Sequence, residues 1–281
     1  MSTSRFRKIF IDSRWRTTGT HADFSISLPV DVETSATATV YLASCSFSNT
    51  FQTIRSGEND RVYVLGGPTG GTIGTGVLTL SPGIYTGAQL ASALQTALIA
   101  AELDQSATVT FDEIYGTLTF AQSGHVLQIP SEAELRNPYW KATQWDARNP
   151  PAAYQYDISN PASMNELLYP PTPSSLQESF TTGNIDLVPY RSVYLHSSLT
   201  NFMTLKAGTG ERDCLARLPV DQPYNYVVVW KHLGASDAIE ASGERLRTLS
   251  FSFRDWAGRL VPIDQPVQIE LVIMDADPYN L

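Results

Sequence analysis

Along residues 246–253, Leu249, Phe251 and Phe253 alternate with Thr248, Ser250 and Ser252. This period of two sends large apolar groups to one face and hydroxyls to the other, and predicts a half-buried strand. After the turn residues Asp255-Trp256-Ala257-Gly258 and the prolines 262 and 266, Val267, Ile269, Leu271 and Ile273 repeat the pattern and predict a second strand. Two such strands in succession are what an antiparallel sandwich or barrel produces near its end.

The same reading applied from the beginning predicts a short strand over 6–12, a polar turn over 14–20 and a strand carrying Phe24, Ile26 and Leu28, a hairpin-like start. Residues 37–47 place Val40 and Leu42 on one face and Tyr41, Ala43, Cys45 and Phe47 on the other, as expected of a central strand covered on both sides. Strands over 61–65 and 77–80 are joined by the glycine-rich run 66–76. Further strands are predicted over 192–195, 214–218 and 224–230, the last with Tyr226, Val228 and Trp230 on one face and Val227 and Val229 on the other.

One helix interrupts the strands. Thr86 can cap it with Gln89 three residues on, and Leu90, Leu94, Ala97, Leu98 and Ala101 form an apolar stripe over 88–103 that suits packing on a sheet. Val109 with Phe111 and Leu118 with Phe120 then flank a turn in which Gly116 takes the site needing positive φ. Between residues 130 and 189, Pro138, Pro150, Pro151, Pro161, Pro170, Pro171 and Pro173 break any regular strand. Tyr139, Trp140, Trp145, Tyr154, Tyr156 and Tyr169 accompany them, and a disordered linker would be poor in aromatics. An ordered excursion is expected, packed on the barrel or on a neighbouring subunit. The expected division is 1–129 with the helix, 130–189 as the excursion and 190–281 completing the sandwich, or one domain throughout.

Composition supports strands over helical bundles: 17% of the 281 residues are charged, and glycine, proline, serine and threonine are plentiful. A net charge of −9 argues against a surface that binds nucleic acid all over. The first sixteen residues are an exception, with Arg5, Arg7, Lys8, Arg14 and Arg16 opposed only by Asp12. The ordinary reading pairs this arm with acids of its own fold; the other has it contact a partner subunit, an anionic lipid surface or packaged nucleic acid. Cys45 and Cys214 are too few for a disulfide scaffold and lack zinc spacing, though a single bridge between them stays open. No apolar run follows the basic residues and no segment reaches roughly eighteen apolar residues, so neither a signal peptide nor a membrane span is expected, and a reducing compartment is.

Candidate chemistry is sparse. His21, His125, His196 and His232 have no second histidine or cysteine at ligand spacing, and His196-Ser197-Ser198 lacks both the geometry of a nucleophile pair and a Gly-x-Ser-x-Gly elbow. The glycine-rich run has no lysine after it and leads to a strand, unlike a phosphate-binding loop. Asp275 with Asp277, or Glu58 with Asp60, offers too few oxygens for calcium. The aromatics of the excursion could stack on sugar rings, packing against protein being the commoner use. No cofactor, metal, small-molecule substrate or enzymatic activity is expected.

Several stretches together resemble one family: Phe10-Ile11-Asp12-Ser13-Arg14 with Arg16, Thr18-Gly19-Thr20 and Phe24; Leu80-Ser81-Pro82-Gly83-Ile84-Tyr85; Asn160-Pro161-Ala162-Ser163 with Asn165-Glu166-Leu167-Leu168; Val193-Tyr194-Leu195-His196-Ser197 with Gly210-Glu211; Leu218-Pro219-Val220; and residues 249–255 with Gly258. In this order they resemble the penton or minor capsid proteins of Polinton-like viruses, virophages and related double-stranded DNA viruses of eukaryotes. The resemblance implies an all-β jelly-roll sandwich of antiparallel strands, here with one amphipathic helix and a long proline-rich excursion, and no catalysis. It implies a virion protein made in the host cytoplasm or nucleus, assembling as a pentamer at icosahedral vertices beside the major capsid protein. A cement role between hexons and a carbohydrate-binding attachment module are the alternatives. On this reading Trp140, Trp145, Tyr154 and Tyr156 lose accessibility on assembly, and Arg5, Arg7 and Lys8, with Arg14 and Arg16 nearby, face the particle interior or a neighbouring capsid protein.

Overall fold

The structure is a computed structural model that describes residues 5–101, 106–148, 152–159, 161, 163–199, 213–232, 238–241 and 243–275. Of the positions named above, Leu103, Pro150, Pro151, Asn160, Ala162, Gly210, Glu211 and Asp277 lie outside the described residues. In chain order the strands are β1 (Arg5–Asp12), β2 (Thr18–Gly19), β3 (Asp23–Glu33), β4 (Ala38–Ser48), β5 (Arg61–Pro68), β6 (Gly74–Thr79), β7 (Thr108–Asp112), β8 (Thr117–Ala121), β9 (His125–Gln128), β10 (Ser179–Thr181), β11 (Ser192–Ser197), β12 (Cys214–Pro219), β13 (Val227–Lys231), β14 (Ile239–Glu240), β15 (Arg245–Arg254) and β16 (Gln268–Asp275). Helix α1 (Gly87–Ala100) lies between β6 and β7, and the short helices α2 (Glu132–Leu135), α3 (Pro138–Trp140) and α4 (Asn165–Leu168) lie between β9 and β10.

The chain forms two compact units, one from residues 1–51 and 190–281, the other from residues 52–189. The expected break between residues 129 and 130 therefore falls inside the second unit, which begins at Gln52.

The first unit is a sandwich of two antiparallel sheets. One has the order β1-β16-β4-β13, with β14 also on β4; the other has the order β12-β11-β15-β3-β2. Four main strands stand in each sheet, and the chain crosses between them at β1 to β2, β3 to β4, β12 to β13, β14 to β15 and β15 to β16, and again from β4 to β11 by way of the second unit. Strands β1 and β16, from the two ends of the chain, are neighbours. This is the jelly roll, and all of its pairings except the β11–β12 hairpin and the β2–β3 contact join strands distant in sequence. Ile11, Val40, Leu42 and Phe47 face Phe24, Leu195, Leu249, Phe251 and Phe253 across the core. The rings of Phe24 and Phe251 lie 5.5 Å apart and those of Phe47 and Phe253 6.1 Å apart.

Two sequence expectations change here. Strand β1 does not pair with β3, so the start is no hairpin of these two; β1 runs beside β16 in one sheet while β3 lies beside β15 in the other. Strand β4 is central, between β16 and β13, but the expected faces differ. Glu270 stands opposite Ser44 and Leu271 opposite Leu42, so Ala43 is the extra residue of a bulge. The bulge inverts the alternation beyond it and brings Cys45 and Phe47 to the same buried face as Val40 and Leu42. Cys45 and Cys214 form no disulfide, and burial pushes the Cys45 thiol pKa up.

The second unit is built on β5, flanked by β6 and β9. Its run Arg61-Val62-Tyr63-Val64-Leu65 is apolar at both parities because both faces are covered. Val62 and Val64 meet Leu78, Leu90, Leu94, Leu118 and Phe120, contributed by β6, α1 and β8. Helix α1 begins with the predicted capping box: Gln89 N donates to Thr86 Oγ1 at 3.2 Å and Thr86 N to Gln89 Oε1 at 3.0 Å. Strand β8 pairs with β7 through the predicted hairpin, where Gly116 has φ +64°, and also with β10, a three-residue strand inside the stretch expected to have none.

Candidate interaction surfaces

The aromatics of the excursion are reached first through the other face of β5. Tyr63 and Leu65 point there, into a cluster with Leu135, Trp145 and Tyr156. The Trp145 ring stands edge-on to Tyr63 at 5.6 Å and to Tyr156 at 5.4 Å, and its Nε1 donates to Tyr154 O at 3.1 Å. Tyr156 Oη donates to Leu135 O at 3.2 Å, and burial raises its phenol pKa. Trp145 and Tyr156 are thus buried within a single chain and have almost no surface left to lose on assembly. They fill a core because large rings whose polar atoms reach backbone carbonyls can be buried without an orphaned donor. Trp140 and Tyr154 are half-buried against the same cluster, while Tyr139 is exposed. The excursion packs on β5 of its own unit.

The basic segment is not a loose arm. Residues 5–12 are β1, an edge strand paired along its whole length with β16. Lys8 Nζ lies 2.7 Å from Glu270 Oε1 on that neighbouring strand. Arg14 grips Asp12 through Nη2 at 2.6 Å and Nε at 3.0 Å, and this guanidinium holds the Asp12 carboxyl down to about 2. Arg16 donates from Nη1 to Ser13 O and from Nε to Gly19 O, both at 2.9 Å. Arg7 is half-buried, and for Arg5 only the backbone, in β1, is described.

Alongside these cations the edge displays large apolar side chains. Ile9 and Ile11 point into the core, and the alternate residues Phe6 and Phe10 are 61% and 74% exposed. Trp15, 77% exposed, stands on a single 3-10 turn, Ser13–Trp15, that follows the strand directly. A groove of about 890 Å³ runs beside them, lined among others by Phe10, Asp12, Trp15, Leu28, Pro29 and Ser46. Sequence reasoning singled out the cations of this segment and not Phe6, Phe10 or Trp15; their spacing was available, but their place at a sheet margin follows only from the pairing of β1.

The turn carrying Trp15 is rigid. Buried Ser13 Oγ accepts from Val267 N at 2.8 Å and lies 2.6 Å from His21 Nδ1. Arg16 Nη1, which can only donate, lies 3.5 Å from the same Nδ1, so the arrangement is satisfied with Nδ1 unprotonated and accepting from the Ser13 hydroxyl. Gly19, at φ +90°, has no room for a side chain: a Cβ would sit 2.1 Å from Asp23 O. Burial, and secondarily Arg16, lowers the His21 pKa from 6.5 against the opposing pull of Asp12 and Asp264. The folded state therefore favours neutral His21. Its contribution is complete above pH 6.5 and is lost as pH falls from there through the lowered folded value. Thermal melts of wild type are expected to show a loss on acidification below 6.5 that is smaller in His21→Asn, whose amide oxygen can replace Nδ1.

The opposite edge of the same sheet is β13. Val228 is buried, but Val227 and Val229 are exposed, as are Tyr224 and Tyr226 in the preceding loop, so β13 is not covered on both sides as the sequence suggested. That loop is pinned: Asn225, at φ +66°, donates from N to Asn49 O at 2.7 Å, and Asn49 Nδ2 donates to Gln222 O at 2.7 Å. In the second unit, Ile114 and Tyr115 are exposed at the β7–β8 turn, where Asp112 Oδ1 accepts from both of their backbone N–H groups.

The candidate chemical groups stay apart. His196 Nδ1 lies 2.7 Å from Asp213 Oδ1, His232 packs on Tyr41 and Trp230, and His125 Nδ1 lies 3.4 Å from Ser123 O. Glu58 pairs with Arg55 at 3.1 Å, and Asp60 Oδ2 accepts from Gly57 N at 3.0 Å. Among the described residues no three His, Cys, Asp or Glu side chains are grouped to hold a metal ion, and no helix is long and apolar enough to cross a membrane.

No family model and no curated protein matches the chain. Among solved structures, the selenomethionine-labelled mavirus penton protein is similar, with a TM-score of 0.53 and 8% identity over 97% of this chain and 100% of that one. At this identity the likeness is one of fold, and it extends over both units.

Proposed function

We propose that the chain is a structural subunit of a viral capsid that closes as a ring of five at the vertices of an icosahedral virion. The observation that carries this reading is the extent of the match. A coverage of 97% takes in the jelly roll together with the unit inserted between β4 and β11, a combination that a generic eight-stranded sandwich does not share. The mechanism is geometric: a heterologous contact repeated by rotation closes after a fixed number of copies, and no residue performs chemistry. The ring sits among copies of a major capsid protein in the virion, after synthesis in the host. The basic β1 segment lies against a neighbouring capsid protein, with an anionic membrane or genome in the particle interior as the other surfaces its charge suits.

The test is electron microscopy of particles assembled from this chain and its major capsid protein. Five copies around each vertex are expected. Monomers or trimers seated between hexons would make it a cement protein instead, and saturable glycan binding by the purified chain would favour an attachment module.

A further inference from the structure

The two outer edges of the sheet β1-β16-β4-β13 match each other in three independent respects. Both display large apolar side chains to solvent: Phe6, Phe10 and Trp15 on one, Tyr226, Val227 and Val229 on the other. They carry opposite charge. Among the described side chains, β1 and the turn after it hold Arg7, Lys8, Arg14 and Arg16 against Asp12, whereas the β13 edge, with the loop before it and β14 after it, holds Asp221 and Glu240 against Lys231. They also run in opposite directions, because each of the three pairings between them is antiparallel. A β13 edge set beside another copy's β1 edge thus continues the antiparallel order of the sheet.

We infer that the β1 edge, with Phe10 and Trp15, binds the β13 edge, with Tyr226 and Val229, of a second copy of this chain. The inference rests on the ring proposed above and assigns the surfaces that make it. Two β1 edges would set cation against cation, so the contact is heterologous, and an open chain of copies keeps one unused edge of each kind until the ring closes. The rigid turn under Trp15 and the pinned loop under Tyr226 hold both aromatics in place before contact, which lowers the ordering cost of binding. Neither Trp15 nor Phe10 belongs to the core, and a contact with a second copy accounts for large apolar groups at such exposure.

The experiment uses the full chain and two double variants, Phe10→Ser/Trp15→Ser and Tyr226→Ser/Val229→Ser, with mass measured by sedimentation and folding checked by circular dichroism. Wild type is expected to form closed rings, and each variant to remain folded and monomeric, with contact affinity weakened about 100-fold. A mixture of the two variants is expected to give dimers and nothing larger, since each copy supplies one intact edge. Rings formed by either variant as readily as by wild type would overturn this assignment of surfaces while leaving the vertex reading intact. Rings or dimers lost in the β1-edge variant alone would overturn it in favour of a like-with-like contact. Wild type that stays monomeric at every concentration would overturn both.

Discussion

Trp145→Ala is expected to lower the stability of the Gln52–Pro189 unit by about 3–5 kcal/mol, the range for truncating a large buried aromatic. The ring is wholly buried, touches Tyr63 and Tyr156 edge-on, and satisfies Tyr154 O through Nε1. Removing it leaves a cavity beneath β5 and a carbonyl without its donor. Trp145→Phe keeps much of the volume and loses the hydrogen bond, so about 1–2 kcal/mol is expected. Denaturant titration followed by amide exchange in β5 and β9 checks both, with protection lost in these strands. Trp15→Ala is the contrasting case: its side chain is 77% exposed, and folding stability should change by no more than about 0.5 kcal/mol. Two tryptophans that composition treats alike therefore separate into one that holds the fold and one that is displayed.

That separation marks the boundary of what the sequence discloses. Alternation at Leu249, Phe251 and Phe253 identifies β15, and Thr86 with Gln89 identifies the start of α1, because strand faces and helix caps are set by neighbours within a few residues. Partnership is not local. Strand β3 is joined to β15, and β4 to β16, across more than half of the chain, and nothing in the period of either strand names its partner. The bulge at Ala43 is invisible for the same reason, since an extra residue exists only relative to the strand opposite. Edges are hidden too. Val227 and Val229 made β13 look covered on both sides, and the sheet order alone shows that it lies at a margin, as β1 does with Phe6 and Phe10. The aromatic excursion was legible as ordered, but its role as a core followed from Tyr63 and Leu65 opening the second face of β5 to it.

The other large effect is expected at Asn165, which ties that second face together. Its side chain is fully buried at the start of α4, where Oδ1 accepts from Tyr63 N at 3.1 Å and Nδ2 donates to Tyr63 O at 3.1 Å and to Pro130 O at 2.7 Å. One amide thus occupies both backbone groups of a β5 residue and the chain just after β9. Asn165→Asp keeps the shape but turns a donor into a second acceptor facing two carbonyls. With two carbonyls losing their partner and a charge left in the interior, about 3–5 kcal/mol of destabilisation is expected at neutral pH. The cost has a signature. A buried carboxyl facing acceptors has its folded-state pKa raised above the unfolded value, so the variant should regain stability as pH falls through that raised value, when the proton restores one donor. Asn165→Leu loses the same hydrogen bonds without introducing a charge, and its deficit relative to wild type should not change over that pH interval. Urea midpoints of the three proteins measured on acidification test the assignment: parallel curves for Asn165→Asp and Asn165→Leu would mean that the amide acts by filling space, and convergence of the aspartate variant toward wild type that it acts by donating.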